Sequence, residues 1–216
     1  MTRLQRSILF AGSLLLAMSV RAQGDALRGA TLVQQGDGNG GAACLSCHGS
    51  DGAGNDSLMA PRLAGLDATY LRSQLLAYQQ GRRQGALMLP NVQKLTPQQI
   101  ADVAAYYAGQ HARAAKAPAA TREQLTLGER LATRGDRERY IVACSTCHGP
   151  GNRGVGSDFP ALAGQHAAYL QQQIHEWQNG NRHNDPDQLM LAIAGRLNEA
   201  EIQAVALYLA GLPPKE

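Results

Sequence analysis

Twice in this chain two cysteines stand three apart with a histidine directly after the second: Cys44, Cys47 and His48 in "ACLSCHGSDG", and Cys144, Cys147 and His148 in "ACSTCHGPG". Three chemistries use such residues: a structural zinc site, a redox dithiol and covalent attachment of haem. A closed zinc site takes four ligands, and a histidine adjoining its cysteine points away from the site the cysteine pair would form. A thioredoxin-like dithiol expects a strand–helix setting and has no use for the histidine. Covalent haem uses all three residues. Two thiols on one helical turn add across the porphyrin vinyl groups, and the following imidazole is carried over the ring to the iron. Two such motifs in register point to two covalently bound haem c groups, held by Cys44, Cys47, Cys144 and Cys147, with His48 and His148 on the irons.

The iron then takes a sixth ligand or keeps an open site. Beyond the N-terminal segment the methionines are Met59, Met88 and Met190. Met88 and Met190 are equivalent, each seven residues before a leucine (Leu95, Leu197) that precedes a capped final helix, whereas Asp158 stands where Met59 does. That equivalence predicts His48/Met88 and His148/Met190 ligation. Such ligation raises the reduction potential relative to two histidines and leaves no vacant position for a substrate. The expectation is an electron-transfer protein rather than an enzyme. A two-haem peroxidase-like enzyme would need one displaceable ligand, and Met88 is where it would be sought. An electron-transfer subunit of a dehydrogenase or oxidase complex is the other alternative. Pro61 and Pro160 follow their histidines at similar distances, and each offers a carbonyl to the second ring nitrogen of His48 or His148. Arg83 and Arg182 are equivalent and read either as partners of haem propionates or as solvated arginines; Tyr78 and Trp177 are equivalent and read as core. His111, His166, His175 and His183 have no counterpart in the repeat and read as surface or capping residues. His166, at the position of Asp67, reads as a helix N-cap.

These residues must be positioned by helices. The motifs align at an offset of 100, "PRLAGLDATYLRSQLLAYQQGRR" aligns with "PALAGQHAAYLQQQIHEWQNGNR" at 99, and the final segments align at 102, so the chain is a duplicated domain. "TPQQIADVAAYYAGQ" opens with Thr96 as N-cap, Pro97 at the first helical position and Gln99 completing a capping box. Ile100, Val103, Ala104 and Tyr107 form one apolar face. Asn198 and Glu201 repeat the device ahead of Ile202, Val205, Ala206 and Leu209. A middle helix carries Leu71, Leu75 and Tyr78, or Leu170, Ile174 and Trp177, and a shorter helix precedes each motif around Leu27–Val33 and Leu127–Ala132. No segment alternates long enough for a strand, so the fold class is all-α. The domains read as 23–111 and 122–216, joined by a linker at 112–121, "ARAAKAPAAT". A domain this small buries too little apolar surface for comfortable stability. A large apolar cofactor at its centre would remedy that.

Residues 1–22 read as a signal peptide: Arg3 and Arg6, an apolar run from Ser7 to Val20, and small residues at Val20 and Ala22, with cleavage near Ala22. The run is short for a membrane span, and export to the periplasm follows. Removing Arg3, Arg6 and Arg21 from the 20 basic residues leaves 17 against 17 acidic ones. Nothing in this balance reads as nucleic-acid binding.

The stretches "FPALAGQHAAYLQQQ", "GNRHNDP" and "LMLAIAGRLNEAEIQAVALYLAGL", with "CLSCHGSDGAGN" and "LTPQQIADVAAYYAGQ" in the first half, resemble cytochrome c4, a two-haem periplasmic class I cytochrome c. The resemblance implies two tandem cytochrome c domains with their haems close together, ligated as above. It also implies a respiratory role between a quinol-oxidising complex or dehydrogenase and a terminal oxidase, with room for loose membrane association. The first copy departs from the pattern: "RQGALM" replaces the "NDP" that precedes the second methionine.

Overall fold

The computed structural model describes residues 23–113 and 119–214; the expected signal segment and the middle of the expected linker lie outside them. In the first half, helices α1 (Ala26–Gln35), α2 (Leu45–His48), α3 (Ala68–Gln79), α4 (Leu89–Val92) and α5 (Pro97–Ala108) follow one another. In the second, α6 (Arg122–Thr133), α7 (Cys144–His148), α8 (Ala167–Gln178), α9 (Leu189–Ala194) and α10 (Glu199–Ala210) repeat the order. Among the described residues there is no named strand, only isolated bridges. The all-α, two-domain reading holds.

The local code explains the long helices. Capping boxes form at Thr96/Gln99, Thr121/Gln124 and Asn198/Glu201, each satisfying two backbone donors that a helix start leaves unpaired. Asp67 caps α3 by accepting from Tyr70 N–H at 2.9 Å. The faces read from periodicity are the buried ones: Ile100, Val103, Ala104 and Tyr107 on α5, and Ile202, Val205, Ala206 and Leu209 on α10. Val33 of α1 and Leu71 of α3 join α5 in one core, and Leu131 of α6 and Leu170 of α8 join α10 in the other.

In each domain the first and last helices cross at a glycine. A Cβ on Gly29 would fall 2.1 Å from the carbonyl oxygen of Asp102, and one on the equivalent Gly128 2.2 Å from that of Ala204. Close backbone approach therefore dictates glycine at both positions, although it weakens a helix by roughly 1 kcal/mol relative to alanine. The crossing fixes where α1 and α6 hand the chain to the motif loops. Gly29→Ala and Gly128→Ala should each destabilise the protein by about 1–3 kcal/mol through overpacking. Denaturant titration would check this, with Thr96→Ala at about 1 kcal/mol as the reference loss of a cap.

Candidate cofactor sites and the interface between the domains

Each motif forms a single short helix, closed by a glycine at positive φ (Gly49, 75°; Gly149, 77°). Only glycine takes this conformation without strain, and the reversal leaves the preceding histidine facing inward. His48 and His148 are each 6% exposed. No disulfide joins the four cysteines. Cys44 and Cys144 lean on the cores of their own domains, Cys147 is half-buried and Cys47 is exposed.

The histidine tautomers follow from the prolines. His48 Nδ1 lies 3.0 Å from the carbonyl oxygen of Pro61, and His148 Nδ1 lies 2.7 Å from that of Pro160. A carbonyl only accepts, so Nδ1 carries the proton in each ring and Nε2 keeps its lone pair. Burial pushes both imidazoles below the ordinary histidine range; the proline carbonyls oppose this, and Arg83 or Arg182 adds to it. Both rings are neutral bases at neutral pH.

His48, Met88, His148 and Met190 all line one continuous, largely apolar cavity that runs through both domains. Met59 is exposed and outside it. The two cavity methionines are held differently. Asp185 accepts from Met190 N–H at 2.9 Å, Leu191 N–H at 3.1 Å and Trp177 Nε1 at 3.1 Å, so one carboxylate fixes the start of α9 to the middle helix. Met88 stands at the start of α4 with no side-chain cap, and the turn is closed by backbone, Leu89 N–H to Gly85 O at 2.9 Å. This is the structural content of the departure between "RQGALM" and "NDP".

Between the domains the chain pairs antiparallel at Arg83 and Arg182, with Gln84 N–H donating to Asn181 O at 2.8 Å and His183 N–H to Arg82 O at 2.9 Å. Both arginines are buried, at 6% and 5% exposure, on the cavity wall. Arg83 donates to Gln74 at 3.2 Å, Gln173 at 2.7 Å and the Tyr169 hydroxyl at 2.8 Å. Arg182 answers with Gln173 at 2.8 Å, Gln74 at 3.0 Å and Asn184 at 3.0 Å. Each guanidinium also lies over an aromatic ring, Arg83 over Tyr78 at 4.7 Å and Arg182 over Trp177 at 4.0 Å. Neither has a carboxylate within ion-pair distance among the described residues. Burial alone would raise the Tyr169 hydroxyl, yet the two guanidiniums hold it below the ordinary tyrosine range. Positive charge here lacks its counterion, and a buried charge is costly until paired.

An apolar cavity, two imidazoles with free Nε2, two thioethers and two uncompensated buried cations suit two haems, each an apolar macrocycle carrying an iron and two carboxylates. The motifs and the repeat single out the histidines, methionines, prolines and arginines that line this cavity. Periodicity missed Tyr70, Gln74, Tyr169, Gln173 and Asp185. Tyr70/Tyr169 and Gln74/Gln173 recur at the same offset of 99 as Arg83/Arg182, a signal available in the repeat. One expectation is corrected. His166 stands at the N-cap of α8, but its side chain makes no capping bond; its Nε2 meets Ala53 O of the first domain at 2.9 Å instead.

Comparison with known proteins agrees with this geometry. The cytochrome c family model matches twice, over residues 26–108 and 127–213. The "Thiosulfate dehydrogenase electron acceptor" of Thiomonas intermedia (strain K12) is 45% identical over 172 residues, covering 80% of this chain and 79% of that protein. A solved structure of thiosulfate dehydrogenase (TsdBA) from Marichromatium purpuratum superposes with a TM-score of 0.82 at 45% identity, covering 87% of this chain but 40% of that longer one. Reduced cytochrome c4 from Pseudomonas stutzeri superposes with a TM-score of 0.76 at 32% identity, covering 88% and 99%. With relatives named as cytochromes c4 and electron acceptors, the chain belongs to the cytochrome c family as a two-domain protein of the cytochrome c4 kind, an electron carrier with two covalently bound haem c groups.

Proposed function

We propose that Cys44 and Cys47 hold one haem and Cys144 and Cys147 the other, with His48/Met88 and His148/Met190 as axial ligands. The bound haem supplies a one-electron iron couple; the remaining requirements fall on the chain. The Pro61 and Pro160 carbonyls fix the histidine tautomer and strengthen each imidazole as a donor. Leu71, Val103, Leu170 and Val205 keep water from the cavity. Arg83 and Arg182 supply positive charge for the haem carboxylates. The observation that carries this reading is that a histidine and the equivalent methionine from each domain face one cavity.

The working unit is the segment after residue 22, with domains at 23–111 and 122–216 and the linker at 112–121. We assign it to the periplasm from the signal pattern of residues 1–22. Among the described residues no helix is long and apolar enough to cross a membrane, which is compatible with a free or loosely attached carrier. Downstream, a terminal oxidase is the fitting acceptor in a respiratory chain. Upstream, the names of the two most similar proteins given above favour a dehydrogenase, specifically one that oxidises thiosulfate. That is a second reading beside a quinol-oxidising complex.

The ferric absorption spectrum tests the ligand set. The weak red sulfur-to-iron band should have the intensity of two irons, and the ferrous protein should not take up carbon monoxide readily. Intensity for one iron together with ready carbon monoxide binding would overturn the carrier reading for that domain. Rapid reduction of the ferric protein by a thiosulfate dehydrogenase with thiosulfate would support the second reading; reduction only by a quinol-oxidising complex would exclude it. Asp185→Ala should loosen Met190 alone. Losing such a cap costs about 1 kcal/mol, so the Met-on/Met-off balance at the second iron should shift roughly fivefold, read from the same band, with the first iron unchanged.

A further inference from the structure

Because the domains are near-copies, a contact made on one side of the interface and missing on the other is informative. Pro61, Arg62, Leu66 and Asp67 correspond to Pro160, Ala161, Gln165 and His166. One of the reciprocal pairings is apolar: Ala161 packs on the first domain's core cluster, which contains Leu66. The other is polar and buried, with Arg62 1% and Gln165 3% exposed. Arg62 N–H donates to Gln165 Oε1 at 2.8 Å, and Gln165 Nε2 donates back to Arg62 O at 2.9 Å. The Arg62 guanidinium then reaches Ala163 O at 3.0 Å and Gly164 O at 3.3 Å, both in the second domain, and Ala64 O at 2.5 Å.

The Arg62 N–H belongs to the same planar peptide as the Pro61 carbonyl, which accepts from His48 Nδ1 at 3.0 Å. One rigid amide therefore joins a histidine of the first domain to a glutamine of the second. We infer that Gln165 is a positioning residue for His48: by accepting from Arg62 N–H it orients and polarises the Pro61 carbonyl, so that docking of the second domain sets the donor strength of the first domain's histidine. The inference rests on His48 being an iron ligand, as proposed above. Hydrogen bonds in a chain polarise one another in a low-dielectric interior. A stronger acceptor on Nδ1 makes the imidazole a better donor, which favours ferric iron and lowers the potential. The second domain has no such relay. Its His148–Pro160 bond is present at 2.7 Å, but Ala161 N–H has no protein acceptor among the described residues.

The test is Gln165→Leu in the full haem-loaded protein, which gives the polar side the residue type that the repeat has at Leu66. A redox titration followed by nuclear magnetic resonance reads each iron separately. The first domain's potential should rise, moving the electron distribution between the two haems by roughly two- to fivefold, a fraction of one hydrogen bond, while the second domain's potential stays put. An unmoved first potential, or equal movement of both through general loosening, overturns the relay. Should Gln165→Leu fail to fold, Gln165→Met carries the same expectation. Absence of hyperfine-shifted axial-histidine resonances for the first domain's haem in the unsubstituted protein would instead overturn the ligand assignment beneath it.

Discussion

Two buried guanidiniums facing each other across the domain boundary, with no carboxylate at ion-pair distance among the described residues, constrain everything else in this molecule. Arg83 and Arg182 share Gln74 and Gln173 as acceptors and stack on Tyr78 and Trp177. These contacts occupy several of their donors but leave their charge. Neutral acceptors do not compensate two cations removed from water. The cavity they border is where compensation has to come from, and haem brings both the apolar bulk that small domains lack and the carboxylates that these cations lack. Cofactor, core and interface are in this sense one structure.

The two halves use the duplicated plan unequally. Met190 is fastened through Asp185 to Trp177, while Met88 relies on a backbone turn. The loop after Pro61 is gripped by Gln165 and the carbonyls of Ala163 and Gly164, and His166 holds Ala53 ahead of it, while the loop after Pro160 meets an apolar neighbour. A carrier with two equivalent sites gains no direction from having two. With the axial ligands proposed above, unequal fastening at the methionine on one side and at the histidine on the other would give the chain independent means to separate the two irons in potential.

Much of this was legible in the sequence because the repeat acts as an internal comparison. The helix faces of α5 and α10, the capping boxes at Thr96 and Asn198, the placement of Met59 outside the cavity and the proline partners of the histidines follow from equivalent residues with ordinary periodicity, whereas the capping box at Thr121 was hidden in the expected linker. What escaped were contacts whose partners lie about a hundred residues apart and differ between copies. Arg62 and Gln165 are each unremarkable alone, and only their spatial pairing makes them a clasp. His166 looked like a cap because Asp67 is one; its imidazole is longer and reaches the opposite domain. Gly29 and Gly128 recur at the repeat offset of 99, but a helix crossing is a tertiary property that periodicity does not encode.

The central claim is that each haem completes the interface as well as its own domain. Replacing Cys44 and Cys47 by alanine yields a chain that binds haem covalently in the second domain only, and hydrogen exchange across residues 181–184 of that intact domain reads the interface directly. Protection there should fall well below that of the two-haem protein, while helix α10 remains protected. Full protection of 181–184 with the first haem gone would contradict that claim.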